Sequence, residues 1–511
     1  MSPPCNPALI VLGTNELLAH ILGPNGFPPS SRKLTSPNRM PRSIGFPGLW
    51  FITECFIHPD DFLHYRCWIA TCSRLCCVSK QLHDLVTPHL LQELWMEHPS
   101  RFKDFINGYT CSPAYQYPCY SGYRRSQFAL VRSLRVTWAM CVWDDWDDYQ
   151  YDIHPDLRTL ADWPHGIDAV PMGFSVSPPI RHTSLWSQVM LTYEEMMSTF
   201  HGLSNFDGGF TGISSLIYMP TPPGTLSLLA TKRPSLRSLR INTHAHHQEL
   251  FETLRVLEYL EELTLNVFTG DGHSGPPIDT TVKLPHLELL FVIFHCPESP
   301  LLGVIQEWTL PQLDFLVIRF ADAAPGDLAG LLSQHGQYLR HLELGAMWHA
   351  DDPPIDLTES CPRLMTLSID WDITPPALIP HPNIIHIFLH HSSGCIRRLK
   401  KDPDFEANTD VTQQILWPFD HFLYDLEWNK WQWAKLIRVT DSSCYHPCTF
   451  LQRESFIRWS TVWIKRLDEC GITCFDAYGR KMRDITLTVS PQDDHRFRPT
   501  ALEFGPQTRG W

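Results

Sequence analysis

The sequence predicts an α/β solenoid, a stack of short parallel strands with helices and loops between them, preceded by a small all-α module. Two observations carry this expectation. A phrase of one aliphatic, two variable residues, an aliphatic, one variable residue and a last aliphatic recurs seven times between residues 234 and 389. Upstream, apolar residues recur at helical spacing through a compact stretch over residues 46–95.

The copies of the phrase run as follows. Pro234-Ser-Leu236-Arg-Ser-Leu239-Arg-Ile241 is the first, and Leu260-Glu-Glu-Leu263-Thr-Leu265 follows without the proline. Pro285-His-Leu287-Glu-Leu-Leu290-Phe-Val292 and Pro311-Gln-Leu313-Asp-Phe-Leu316-Val-Ile318 restore it. Leu339-Arg-His-Leu342-Glu-Leu344, Pro362-Arg-Leu364-Met-Thr-Leu367-Ser-Ile369 and Pro382-Asn-Ile384-Ile-His-Ile387-Phe-Leu389 complete the set. The first aliphatics stand at 236, 260, 287, 313, 339, 364 and 384, so the steps are 24, 27, 26, 26, 25 and 20. A single Leu-x-x-Leu-x-Leu is uninformative; seven in register are not.

The last two aliphatics alternate with period 2, so both project to one face of a short strand. The first enters the same interior from the turn before it. Each such side chain stabilises by roughly 1.5–3 kcal/mol when fully buried, but a lone repeat offers it no cover. Stacked neighbours bury one continuous spine. The intervening residues Thr225–Thr231, Glu249–Leu257 and Leu301–Leu310 have helical character, and Asp327 is a candidate N-cap for Leu328–Leu332. Phe268–Lys283, rich in glycine and proline, reads as loop. Over roughly residues 221–395 the chain resembles the leucine-rich repeat family, whose steps span roughly 20–29 residues. The resemblance implies a horseshoe with strands inside and helices or loops outside.

In that geometry the residues flanking the strand aliphatics face the concave surface. Ser238, Arg240 and Asn242, then Glu262, Thr264 and Asn266, make its first rows polar. Leu289, Phe291 and Ile293, then Phe315, Val317 and Arg319, make the next two largely apolar. His341, Glu343 and Gly345, then Thr366, Ser368 and Asp370, then His386, Phe388 and His390 follow. An apolar patch with a polar rim suits a protein-binding surface. A cover supplied by another segment of the same chain would suit it equally. Leu289, Phe291, Ile293, Phe315, Val317, Arg319, Glu343 and Phe388 are the candidate target-binding residues.

In the all-α module, Leu49, Ile52 and Phe56 share one helical face, and His58-Pro59-Asp60-Asp61 ends that helix and caps a second at Phe62 and Leu63. Leu75, Val78, Leu82, Leu85 and Val86 form a third face stopped near Pro88, and a further short helix is expected over Leu90, Leu91, Leu94 and Trp95. The order Phe46-Pro47-x-Leu49, apolar helix, Pro59-Asp60-Asp61-Phe62-Leu63, then Leu75-Cys-Cys-Val78-Ser79-Lys80-x-Leu82 resembles the F-box. The chain differs from that pattern at Gly48, where an acidic residue is usual, and at Gln81, where an aromatic is usual. The resemblance implies docking on the Skp-type adaptor of a cullin-RING ubiquitin ligase. Pro47, Leu49, Ile52, Phe56, Phe62, Leu63, Leu75 and Val78 would be the adaptor-binding positions. The alternative is a helical cap for the repeats.

The expected organisation is therefore a disordered tail over residues 1–45, the F-box-like module over 46–99, and an irregular linker or degenerate first repeats over 100–220. The repeat array occupies 221–440, and a C-terminal capping helix and tail occupy 441–511. In that last region Phe456, Trp459, Trp463, Leu467 and Cys470 make one apolar stripe, Gly471 is placed to end the helix, and Ile472–Phe475 reads as a strand.

Composition narrows function. Lys and Arg number 41 against 55 Asp and Glu, a formal charge of −14 with no sustained basic run, which disfavours a nucleic-acid partner. No apolar stretch approaches the roughly 18 residues of a membrane helix, and the first residues lack a secretory pattern, so an intracellular setting, cytoplasmic or nuclear, is expected. The 16 cysteines follow no disulfide framework. Asp144-Asp145-Trp146-Asp147-Asp148 lacks the spacing of a calcium loop and reads as a solvated acidic run. Cys72, Cys76, Cys77 and His83 have loosely metal-like spacing but sit on a predicted helix whose apolar face accounts for the cysteines, and His244, His246 and His247 cluster in a loop with no cysteine pair nearby. No phosphate-binding loop, dinucleotide turn, zincin or nucleophile-elbow motif occurs. The expectation is a non-enzyme without cofactor or metal. It would be the substrate-recognition subunit of an SCF-type ligase that holds an unidentified target protein, or a repeat scaffold with no ligase role.

Overall fold

A computed structural model describes residues 91, 93–96, 128–136, 193–208, 221, 224–244, 248–268, 280–294, 301–323, 328–347, 355–371, 378–391, 422–441, 462–476, 481 and 483. These form parallel sheet with helices, an α/β arrangement compatible with a repeat solenoid. The chain divides into two compact units.

The first unit contains β1 (Glu93–Met96), β2 (Ser133–Val136), β3 (Asn205–Asp207), β4 (Ser238–His244), β5 (Glu262–Phe268), β6 (Leu289–Phe294), β7 (Phe315–Ala323) and β8 (His341–Met347), neighbours in chain order. From β1 to β7 each strand pairs with the next in parallel, and the register brings like positions of the phrase together: Leu94, Leu134, Phe206, Leu239, Leu263, Leu290 and Leu316 form one column. Ile241, Leu265, Val292 and Ile318 form the next. The leading residues Leu236, Leu260, Leu287, Leu313 and Leu339 are wholly buried. Each enters the core from a tight turn whose amide bonds back three residues, as Leu260 N–H does to Leu257 O (3.1 Å) and Leu313 N–H to Leu310 O (3.3 Å). Successive turns are laced together, because one carbonyl accepts two amides of the next repeat. Glu261 O, for example, accepts from Glu288 (2.9 Å) and Leu289 (3.1 Å). A repeat thus supplies half of a hydrogen-bonded and apolar interface that only its neighbour completes.

Three strands, β1 to β3, precede the seven phrases. Leu91-x-x-Leu94-x-Met96, Val131-x-x-Leu134-x-Val136 and Leu203-x-x-Phe206 follow the same pattern. The helix expected over 90–95 is replaced by β1 from Glu93 onward. Alternation decides this: Leu94 and Met96 sit two apart and pair with Leu134 and Val136.

Helices α1 (Thr225–Lys232), α2 (Gln248–Val256), α3 (Leu301–Gln306) and α4 (Leu328–His335) lie where helical filler is expected. Helix α3 stops short of Leu310. Thr309 bridges Lys283, its amide reaching Val282 O (2.9 Å), and Pro311 disfavours helical backbone at Leu310. The helix ends are satisfied across repeats. The Glu249 carboxylate on α2 accepts the amides of Gly224 (3.0 Å) and Ser227 (2.8 Å) at the start of α1. His335 Nε2 on α4 lies 2.9 Å from Ile305 O in the last turn of α3. The proposed cap Asp327 lies outside the described residues.

The second unit contains β9 (Thr366–Trp371), β10 (His386–His391), β11 (Arg438–Asp441) and β12 (Thr473–Asp476), parallel in that order. Residues 422–428 and 462–469 are helical. Gly471, at φ 76°, closes the second helix as expected: Ile472 N–H reaches Leu467 O (2.8 Å) and Gly471 N–H reaches Asp468 O (2.9 Å), the Schellman arrangement. Trp463 and Leu467 are buried as the stripe predicts, while Phe456 and Trp459 lie outside the described residues. No helix among the described residues is long and apolar enough to cross a membrane.

Candidate recognition face

The face opposite the leucine columns is built by alternate residues of β3 to β8. Its first rows are polar. Arg240 Nη1 stands 3.8 Å from Asp207 Oδ2, a partner one strand away that the seven phrases do not include. Asn242 and Asn266 occupy register partners on β4 and β5, and Asn266 Nδ2 donates to Asn242 Oδ1 at 2.7 Å. Both are buried, so they hold the sheet together and are not displayed as expected. A buried amide needs partners; Asn242 Oδ1 answers the Asn266 Nδ2 donor, while the buried Asn266 Oδ1 has no hydrogen-bond partner among the described residues.

The next rows are apolar. Leu289, Phe291 and Ile293 on β6 stand in register with Phe315, Val317 and Arg319 on β7. Leu289, Phe291, Ile293, Phe315 and Val317 form one buried cluster, with Phe291 and Val317 at 0% exposure. Of the two alternatives the sequence leaves open, an exposed patch and a covered one, this burial agrees with the second. Every residue of β6, facing either way, is buried. A parallel strand covered on both faces reads as an unbroken hydrophobic run, and Leu289-Leu-Phe-Val-Ile-Phe294 is such a run.

Beyond the cluster the face is again polar. Arg319 donates to Glu343 Oε1 through Nε (3.0 Å) and Nη2 (2.8 Å), and Glu343 is fully buried where display was expected. His341 lies against Phe315, ring centroids 5.1 Å apart. Burial pushes its imidazole down to about 4; Asp314 opposes that shift and Arg340 adds to it. Arg340 Nη2 donates to Asp314 Oδ2 at 2.7 Å, which fixes the charges flanking the ring. In this unit the partly accessible groups of the face are Asn205, Asp207, Ser238, Arg240, Glu262, Thr264, Arg319 and His341.

In the second unit Phe388 is buried beside His386, ring centroids 3.8 Å apart, and Ser368 is fully buried. The candidate adaptor-binding residues Pro47, Leu49, Ile52, Phe56, Phe62, Leu63, Leu75 and Val78 all lie outside the described residues, as do Cys72, Cys76, Cys77 and His83. Among the described residues no group of three or more His, Cys, Asp or Glu is disposed to hold a metal ion.

No family model and no curated protein matches this chain.

Proposed function

We propose that this chain is the substrate-recognition subunit of an SCF-type cullin-RING ubiquitin ligase. Residues 46–95 dock on the Skp-type adaptor and the repeats hold the target. One observation carries the reading: an F-box-like sequence stands immediately upstream of a regular stack of parallel strands. Such a protein forms no bond itself; it raises the effective concentration of the target at the transfer machinery. Because the apolar rows are buried, recognition falls to the accessible polar groups, Arg240, Glu262, Thr264, Arg319 and His341. Leu289, Phe291, Ile293, Phe315 and Val317 support the face from within.

A second reading, a repeat scaffold with no ligase role, is favoured by β1. Glu93–Met96, at the end of the stretch that resembles an F-box, is itself a strand of the sheet, as a segment belonging to a cap would be. Purified Skp-type adaptor separates the two. On the ligase reading it co-purifies with the wild-type chain and is lost with Leu49→Asp/Ile52→Asp, while the circular dichroism of the repeats is unchanged. Wild type that leaves the adaptor unbound removes the ligase reading.

A further inference from the structure

We draw no further inference here: the strongest candidate, the exposed aromatic patch of Tyr424, Trp428 and Trp431 on the helical segment 422–428 and the turn after it, carries nothing because nothing in the structure shows what covers it.

Discussion

His341 shows how one side chain makes stability depend on pH. An unfolded imidazole takes its proton near 6.5, whereas in the folded chain burial defers protonation to about 4. Between those values the unfolded state binds more protons, so stability rises with pH across that window and is lost as pH falls through it, by at most about 1.4 kcal/mol per pH unit. His335, also lowered by burial, acts in the same direction. Replacing His341 with Phe preserves a ring against Phe315 and should flatten the pH dependence of the urea midpoint between pH 4 and 6.5. An unaltered slope would mean that the ring is solvated. Arg319 poses the complementary case of a charge that its surroundings cannot do without. Glu343 is fully buried and takes two hydrogen bonds from the guanidinium. Arg319→Met should therefore cost on the order of 3 kcal/mol in denaturant unfolding. Arg319→Met/Glu343→Leu should recover part of that loss; no recovery would contradict a desolvated carboxylate as the cause.

At the scale of elements, two glycines in neighbouring repeats give opposite expectations. Gly336 lies in the turn that delivers Leu339 to the core, and a Cβ there would collide with the Ser360 carbonyl and come within 2.7 Å of Cys361 Sγ. The obstructing carbonyl is backbone and cannot swing aside. Gly336→Ala should cost about 1–3 kcal/mol. Gly303 sits within α3, with nothing inside 4 Å of its added Cβ. There alanine should stabilise by up to about 1 kcal/mol through helix propensity. Thermal unfolding should shift downward for the first variant and upward for the second, and two shifts of the same sign would refute this account of the turn.

For the molecule, the decisive question is whether the apolar rows meet water. Full burial of Phe291 predicts that Phe291→Ala costs about 3–5 kcal/mol, the range for truncating a core aromatic. An exposed reading surface would tolerate the change with little loss. A loss under about 1 kcal/mol in urea denaturation would return the face to solvent and restore the patch as a direct binding surface. The same burial places the proposed recognition on charged and polar side chains.

Much of the architecture was legible because a strand's phase is a local property. Leu239, Leu263, Leu290 and Leu316 could be aligned from their spacing, and they do share a column. Gly471 announced its helix end by the need for positive φ. The upstream strands were harder to see. Their leading residues, Leu91, Val131, Leu203 and Leu236, are separated by 40, 72 and 33 residues, beyond the roughly 20–29 that mark a repeat. The candidate face was legible in composition, while its exposure was left open between a bare patch and a covered one. Alternation assigns Phe291 and Val317 to the side away from the leucines, but it is silent on what lies over that side. Burial of that side depends on neighbouring strands and on tertiary packing, which no local period records. The unbroken apolar run of β6 was the local sign of burial on both sides.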